Sequence, residues 1–479
     1  MCANKKKMSR WLEHTLPIGD LNDELWAQAY NKMLPKNWRV LLDDAKDPLD
    51  VVYRYQYGTF HMIGYSAFSV VFEGVREKGG QRVVLKMFRL PMFTGDQAKS
   101  AKSIARMTAA IAEVRALLYV EAQQTRRALA QPQRRNNIVQ IVDYFRAVWS
   151  DDLRNHMVEF LLPRLAQHPS ITKEEREQLQ AGVVSDEGLD NIVAAFFPEM
   201  MQEETKPIFF IETLFGHGET LYNVMRDHEE AASLISPEVD LRLALEALRA
   251  LEFLHDAGMA HGDISPENVF VNNILEAAEA PQAVSVVLLD LGAACRVGTD
   301  KRILGTCNVI GGRPQFDAPT ILALNAQQPA PPDAASIPFE QRASWDVYAL
   351  GLTLYDWGHG DFLPGTLTAD EFNAQTADER AKLARQNVFS RLPVAPYFPP
   401  APADDAAGTL NTVIGRMLEF DDAVRVSAKE AADFVEQRLA AFLRNRAAAA
   451  ATAASSTTTK RRREAGDDAG DSERRKTNE

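Results

Sequence analysis

The sequence predicts an α+β fold in which strands come first and long helices follow. Runs rich in β-branched and aromatic residues, parted by short turns, crowd residues 53–90 and recur at 136–149 and 207–214. The strongest helical periodicity comes only afterwards, in DLRLALEALRALEFLHDAG at 240–258. Length sets the scale: 479 residues, at roughly 100–200 per domain, allow two to four domains or one large two-lobed unit with a sizeable core.

Taken in order, residues 1–52 form an N-terminal extension. YRYQYGTFHMIG, AFSVVFEGV and QRVVLKMFRL are expected as three antiparallel strands, divided at Gly64 and at the turn EKGG, 77–80. Ile104, Ile111, Val114, Leu117 and Leu118 then recur at three- and four-residue spacing, which predicts a helix over 103–122. Two further strands follow in NNIVQIVDYFRAVW (136–149) and PIFFIETL (207–214). Hairpin loops normally run about two to five residues, so 150–206 is expected as a large insertion. Beyond it, Gly258 stops the helix over 240–258, and NVFVN and VSVVLLDLG are short strands flanking a loop. After irregular residues 293–344, a helical run spans Trp345 to Trp357 and a helical pair occupies 410–445. From Ala447 the chain is small and charged, with too little apolar bulk to repay ordering entropy, so 446–479 is expected as a disordered low-complexity tail.

Composition excludes several classes. Hydrophobic content of 46% and charged content of 25% are globular averages, which rules out pervasive disorder, collagen and a disulfide scaffold. Three cysteines (Cys2, Cys295, Cys307) have spacings that suit neither a zinc site nor a disulfide framework, so a reducing compartment is expected. The first residues lack the apolar run of a signal peptide, no stretch of ~18 apolar residues exists, and Cys2 stands where myristoylation needs Gly. An intracellular, soluble protein without a membrane span is expected, cytoplasmic or nuclear. The net charge of −13 disfavours nucleic acid as a partner. KRRR at 460–463 and RRK at 474–476 resemble a bipartite nuclear import signal over 460–476, which would make import factors partners; a solvated mixed-charge tail is the other reading.

Chemistry concentrates in HGDISPENVFV, starting at His261, and VVLLDLG, ending at Gly292. A loop spacing Asp263 and Asn268 by five residues, followed by a strand that delivers Asp290 into a Gly turn, assembles three oxygen ligands. Mg²⁺ takes few protein oxygens beside phosphate and water, so Asn268 and Asp290 suit the metal while Asp263 faces a hydroxyl. Upstream, Lys86 closes the apolar strand VVLK and can reach phosphate only with its stem buried. Glu113 is the best candidate for the acid that holds it, with Glu121, two helical turns on, as substitute.

Together these segments resemble the eukaryotic-type protein kinase family, in the order IGYSAFSVVFEG (63–74), VVLK (83–86), Glu113, NNIVQIVDYF (136–145), HGDISPEN (261–268), DLG (290–292), APT (318–320), WDVYALGLTLY (345–355) and DDAVRVSA (421–428). The resemblance implies a two-lobed fold over 53–445. The N-lobe, 53–214, would be a small antiparallel sheet plus a helix, and the C-lobe, 215–445, mainly helical. It implies ATP and Mg²⁺ as cofactors and protein Ser/Thr hydroxyls as acceptors. Asp263, Lys86 and Asn268 would be catalytic; Ile63, Gly64, Ser66, Val71, Lys86, Glu113, Glu212 and Leu214 would bind ATP; Asn268 and Asp290 would bind the metal. By the same resemblance Thr213 would complete the hinge, Ile211 would control the back pocket, Leu291 would stack on His261 and Leu117, and Asp346 would anchor the catalytic loop. A pseudokinase that keeps the fold for binding, and a small-molecule phosphotransferase suggested by His-Gly-Asp, are the alternatives.

The match is partial. Gly64 alone survives of three loop glycines. Gly262 stands where many kinases carry an Arg that meets a phosphorylated activation loop, which leaves Thr299 and Thr306 without that switch. Ser265 replaces a Lys, Arg313 a Thr and Thr320 a Glu, and Arg425 matches the family Arg that normally pairs with that Glu. Arg313 is expected to supply the charge lost at 265.

Overall fold

The computed structural model describes residues 55–56, 58–65, 69–89, 113–114, 116–129, 137–148, 207–214, 216, 218–227, 236–274, 280–297, 303–305, 316–318, 320–321, 337–359, 406–419 and 421–474. The extension 1–52, the insertion 150–206 and the expected sites at Ser66, Thr299, Thr306 and Arg313 lie outside them.

Five strands form the first sheet: β1 (His61–Tyr65), β2 (Ser69–Val75), β3 (Arg82–Arg89), β4 (Ile141–Val148) and β5 (Pro207–Leu214). They lie in the order β1-β2-β3-β5-β4, every pair antiparallel. The first strand is shorter than its sequence suggested. Gly58, at φ +76, turns the chain, and Thr59 fastens the turn: its hydroxyl donates to the Gln56 carbonyl at 2.7 Å and accepts from the Val75 amide at 3.0 Å. In β3, Val83, Leu85 and Met87 are fully buried, so alternation sets Lys86 on the opposite face. Residues 113–114 and 116–129 are helical (α1) and bury Val114, Leu117 and Val120 in the core that also holds Phe88 and Ile211.

The second lobe opens with β6 (Gly218–Thr220), α2 (Leu221–Asp227) and α3 (Pro237–Asp256). Pro237 pre-sets the first turn of α3, and Gly258 ends it at φ +70, its amide donating to the His255 carbonyl at 2.8 Å. Between these stops lie twelve buried residues, mostly Leu and Ala. Each fully buried Leu contributes about 1.5–3 kcal/mol, so α3 is the spine of this lobe. β7 (Val269–Asn272) and β8 (Ser285–Leu288) join β6 in a three-stranded sheet, and β9 (Cys295–Val297) pairs with β10 (Ile303–Gly305). α4 (Phe339–His359), α5 (Ala406–Met417) and α6 (Ala428–Arg474) complete the lobe. The Val139 amide donates to the Leu288 carbonyl at 3.0 Å, and the Leu288 amide to that of Asn137 at 2.9 Å. These bonds tie the approach to β4 onto β8.

Two expectations are corrected. Residues expected to form a disordered tail from 446 continue α6 as helix to Arg474. The helix is nucleated by a capping box: the Ser427 hydroxyl accepts from the Glu430 amide at 3.2 Å, and the Glu430 carboxylate accepts from the Ser427 amide at 2.9 Å. Packing of Ala431, Ala432, Val435 and Leu439 then holds it, and extension through the alanines after Arg446 needs no new nucleus. Lack of apolar bulk shows as exposure, from Arg444 to Thr452, rather than as loss of helix. Cys295 is disulfide-bonded, contrary to the reading of the cysteine spacing; its partner, one of the two remaining cysteines, lies outside the described residues. Spacing along a sequence says little about which thiols a fold brings together. Among the described residues no helix is long and apolar enough to cross a membrane.

Candidate active site

Register across the first sheet gathers the nucleotide-side candidates. Gly64 lies opposite Val71, Val71 opposite Lys86, and Lys86 opposite Ile211. One cross-strand row therefore carries Gly64, Val71, Lys86 and Ile211. Ile63 sits beside this row, 37% exposed. The Lys86 ammonium is 5.2 Å from the ring centre of Phe88, two residues along the same face.

Lys86 is held by two carboxylates. Its Nζ donates to Glu113 Oε1 and Oε2 at 3.1 and 2.9 Å and to Asp290 Oδ1 at 2.6 Å. Burial alone would lower the Lys86 pKa, but the charges of Asp290 and Glu113 outweigh it and raise the value. Burial pushes Glu113 up to about 7, against the pull of Lys86. Burial also acts to raise Asp290, yet Lys86 overrides it and holds that carboxyl below the ordinary range. One cation between the buried Glu113 and the half-buried Asp290 leaves a net negative charge, so the two acids part in pKa. Glu113, not Glu121, is the residue on α1 that meets Lys86.

Asp290 follows β8 in a left-handed conformation, φ 51, which Asp tolerates better than most residues. Its Oδ1 accepts from the Gly292 amide at 3.0 Å. A Cβ on Gly292 would lie 2.8 Å from that same oxygen, so the glycine makes room for the bond.

The loop between α3 and β7 is held from below by α4. Asp346 accepts from the backbone amides of His261 and Gly262 at 2.7 and 2.8 Å, and His255 Nε2 lies 3.0 Å from the same carboxylate. His261 is buried; its Nδ1 accepts from the Asp263 amide at 3.3 Å, so its Nε2 donates to the Leu289 carbonyl at 2.8 Å. Gly262 has φ +80, and a Cβ there would sit 2.5 Å from the Ala293 carbonyl oxygen. The glycine at this position is thus dictated by the backbone of the segment after Asp290. Asn268 Nδ2 donates to the Asp263 carbonyl at 2.7 Å and to Asp263 Oδ2 at 3.0 Å, and the Leu289 amide donates to the Asn268 carbonyl at 2.8 Å. Asp263, Asn268 and Asp290 are therefore brought together by two loops stitched side by side. Leu291 and Leu117 share one buried core.

The hinge candidates differ in what their side chains do. Glu212 is fully buried and its carboxylate lies 3.2 Å from Arg76 Nε, so that side chain is already engaged with the β2–β3 end of the sheet. The Leu214 amide donates to the Gln140 carbonyl at 2.9 Å.

Sequence reading left Arg425 without a partner, and the structure supplies one. Its buried guanidinium lies 2.6 Å from Asp422 Oδ1, donates to the Ser344 carbonyl at 2.9 Å and to the Glu419 carbonyl at 2.8 Å, and stands over the Tyr348 ring at 5.0 Å. Asp422 Oδ2 accepts from Thr320 Oγ1 at 2.8 Å and Trp345 Nε1 at 2.9 Å. The doubled acid of DDAVR was the one available signal.

The oxygen donors suit a hard cation that keeps phosphate and water ligands. Asn268 commits its NH₂ to Asp263, which leaves its Oδ1 facing away, and Asp290 offers a carboxylate of lowered pKa. Among the described residues no group of three or more His, Cys, Asp or Glu is placed to hold a metal ion by itself.

Comparison with known families matches residues 189–435 to the protein kinase domain, just over half of the chain. The matched span includes Glu212, Asp263, Asn268 and Asp290; Lys86 and Glu113 precede it and join by geometry. The chain is similar to the probable serine/threonine-protein kinase zyg-1 of Caenorhabditis briggsae, 29% identical over 154 residues, 30% of this chain and 18% of that protein. It is similar to serine/threonine-protein kinase PknB of Mycobacterium leprae, 26% identical over 208 residues, 43% of this chain and 29% of that one. It also matches serine/threonine-protein kinase pkn2 of Myxococcus xanthus, 29% identical over 227 residues, 46% and 22% of the two chains. The chain thus spans under a third of the length of each of these relatives.

Proposed function

This chain belongs to the protein kinase domain family, and on that footing we propose that it transfers the γ-phosphate of ATP to Ser/Thr hydroxyls of proteins. The observation that carries the reading is the joint geometry of two clusters. Lys86 is held at 2.9 Å by Glu113 and at 2.6 Å by Asp290, beside a loop in which Asn268 clamps Asp263 at 3.0 Å. Similarity to serine/threonine-protein kinases supports the choice of acceptor.

In this reading Lys86 places an ammonium on the α/β-phosphates, and Glu113 keeps its long stem from collapsing elsewhere. Ile63, Val71 and the backbone of Glu212 to Leu214 enclose the base, and Gly64 and Ser66 cover the phosphates. Asn268 and Asp290 would hold Mg²⁺, which neutralises phosphate charge when bound. Asp263 accepts the proton of the attacking hydroxyl, its carboxylate oriented by the Asn268 amide. Because phosphoryl transfer asks mainly for positioning and charge neutralisation, these few residues account for most of the protein's contribution.

The test is γ-labelled ATP with Mg²⁺ and mixed protein substrates, comparing wild type with Asp263→Ala. Removing a general base should lower transfer roughly 10²–10⁴-fold. Equal labelling by both proteins rejects this site as the catalyst, and nucleotide binding without transfer by the wild type would make the chain a binding module instead.

A further inference from the structure

We propose that Asp422 is the positioning residue that fixes segment 316–321 to the catalytic lobe, standing between Thr320 and Arg425 and supplying the negative charge that position 320 lacks. This rests on the phosphotransfer reading for its effect on turnover, and on the structure for the anchor.

Thr320 cannot neutralise a cation, yet the Arg425 side chain is fully buried. A guanidinium taken out of water without a counter-charge is strongly destabilising. Asp422 lies 2.6 Å from it and still uses its second oxygen to bind Thr320 Oγ1 at 2.8 Å, Trp345 Nε1 at 2.9 Å and, more weakly, Gln341 Nε2 at 3.5 Å. The carbonyl of Asp422 accepts from Ser344 Oγ at 3.1 Å as well. One residue therefore joins three pieces of chain: the helical residues 320–321, the first turns of α4 and the loop before α6. Thr320 reaches this junction through its hydroxyl bond to Asp422.

The anchored segment is packed, not draped. Phe316, Asp317, Ala318 and Ile321 are all 6% exposed or less. Asp422 grips α4 at Trp345, and the very next residue, Asp346, holds the amides of His261 and Gly262. The segment at 316–321 and the loop of Asp263 are thus referenced to adjacent residues of one helix. Lys86 and Glu113, in the other lobe, take no part in this junction. Loss of Asp422 should disturb where the acceptor polypeptide meets Asp263 while nucleotide binding stays.

The experiment compares Asp422→Asn with the double variant Thr320→Glu/Asp422→Asn in the full chain. The isosteric Asn removes the charge with little change of volume; the second variant returns it at 320. Amide exchange at 316–321 should quicken at least tenfold in Asp422→Asn, with 83–88 unchanged. Transfer to dephosphorylated casein should fall at least tenfold in kcat/KM, with the Kd of a fluorescent ATP analogue within twofold of wild type. The double variant should recover exchange protection and transfer together. Unchanged exchange at 316–321 overturns the proposal, as does a double variant no better than the single one, or a loss of nucleotide affinity that matches the loss of transfer. If wild type and Asp263→Ala label casein equally, the phosphotransfer reading has failed and the exchange arm alone decides the anchor.

Discussion

Replacing Asp346 by Asn tests how the catalytic loop is held. Asp346 is 3% exposed and receives the amides of His261 and Gly262 at 2.7 and 2.8 Å, with His255 Nε2 at 3.0 Å. Hydrogen bonds to a charged group are worth about 1.5–3 kcal/mol each. Asn keeps one acceptor oxygen and turns an NH₂ toward the other donor, so at least one buried amide loses its partner, at about 1–3 kcal/mol. The surviving bond also loses its charge assistance. Because the bonds share one carboxylate they are not additive, and the expected loss in unfolding free energy is about 2–4 kcal/mol. Urea unfolding should show it as a lower midpoint at constant slope. Exchange at the amides of 261–263 should quicken while that of β3 does not, and turnover should fall more than nucleotide affinity. A change below about 0.5 kcal/mol, the range of ordinary surface substitutions, would refute the idea that this carboxylate holds the loop.

Asp240 offers a pH test. Burial raises its carboxyl to about 6, opposed by the Trp357 indole N–H at 3.0 Å. A folded-state value above the unfolded one, about 3.9, means that its contribution to stability is fully present below pH 4 and is lost as pH rises through 6. Asp240→Asn, still able to accept from Trp357, should therefore be more stable than wild type at pH 8 by up to about 3 kcal/mol and little different at pH 3.5; an equal difference at both pH values would refute the assignment. Gly262→Ala should cost about 1–2 kcal/mol for the left-handed backbone alone, and more because its Cβ would sit 2.5 Å from the Ala293 carbonyl oxygen. Thermal unfolding and turnover should both fall, and a neutral variant would show that this backbone can yield.

Local pattern carried the individual elements. Runs rich in β-branched and aromatic residues marked the five strands of the first sheet, and the Leu/Ala periodicity of 240–258 marked α3, whose buried residues recur at helical spacing. Boundaries were less legible. At Gly58 a left-handed turn, not a change of hydrophobicity, ends the strand pattern, and at Ala447 a helix already nucleated upstream continues through residues that would not start one. The expected set Lys86, Glu113, Asp263, Asn268 and Asp290 is brought together, whereas Ser66 and Arg313 lie outside the described residues. Family spacing marks Gly262 only as the position of a missing Arg, whereas the fold sets a steric requirement there through Ala293, thirty-one residues away.

The sequence alone determined which residue types exist to do chemistry and in what order they occur, because motif spacing and side-chain period are local properties of a chain. It could not decide pairings across the fold. That Lys86 meets Glu113 rather than Glu121, that Cys295 is disulfide-bonded, and that Arg425 finds its counter-charge at Asp422 instead of at position 320 are settled by tertiary packing. A buried charge takes whatever partner the surrounding elements bring within about 3 Å, and sequence separation does not enter that distance.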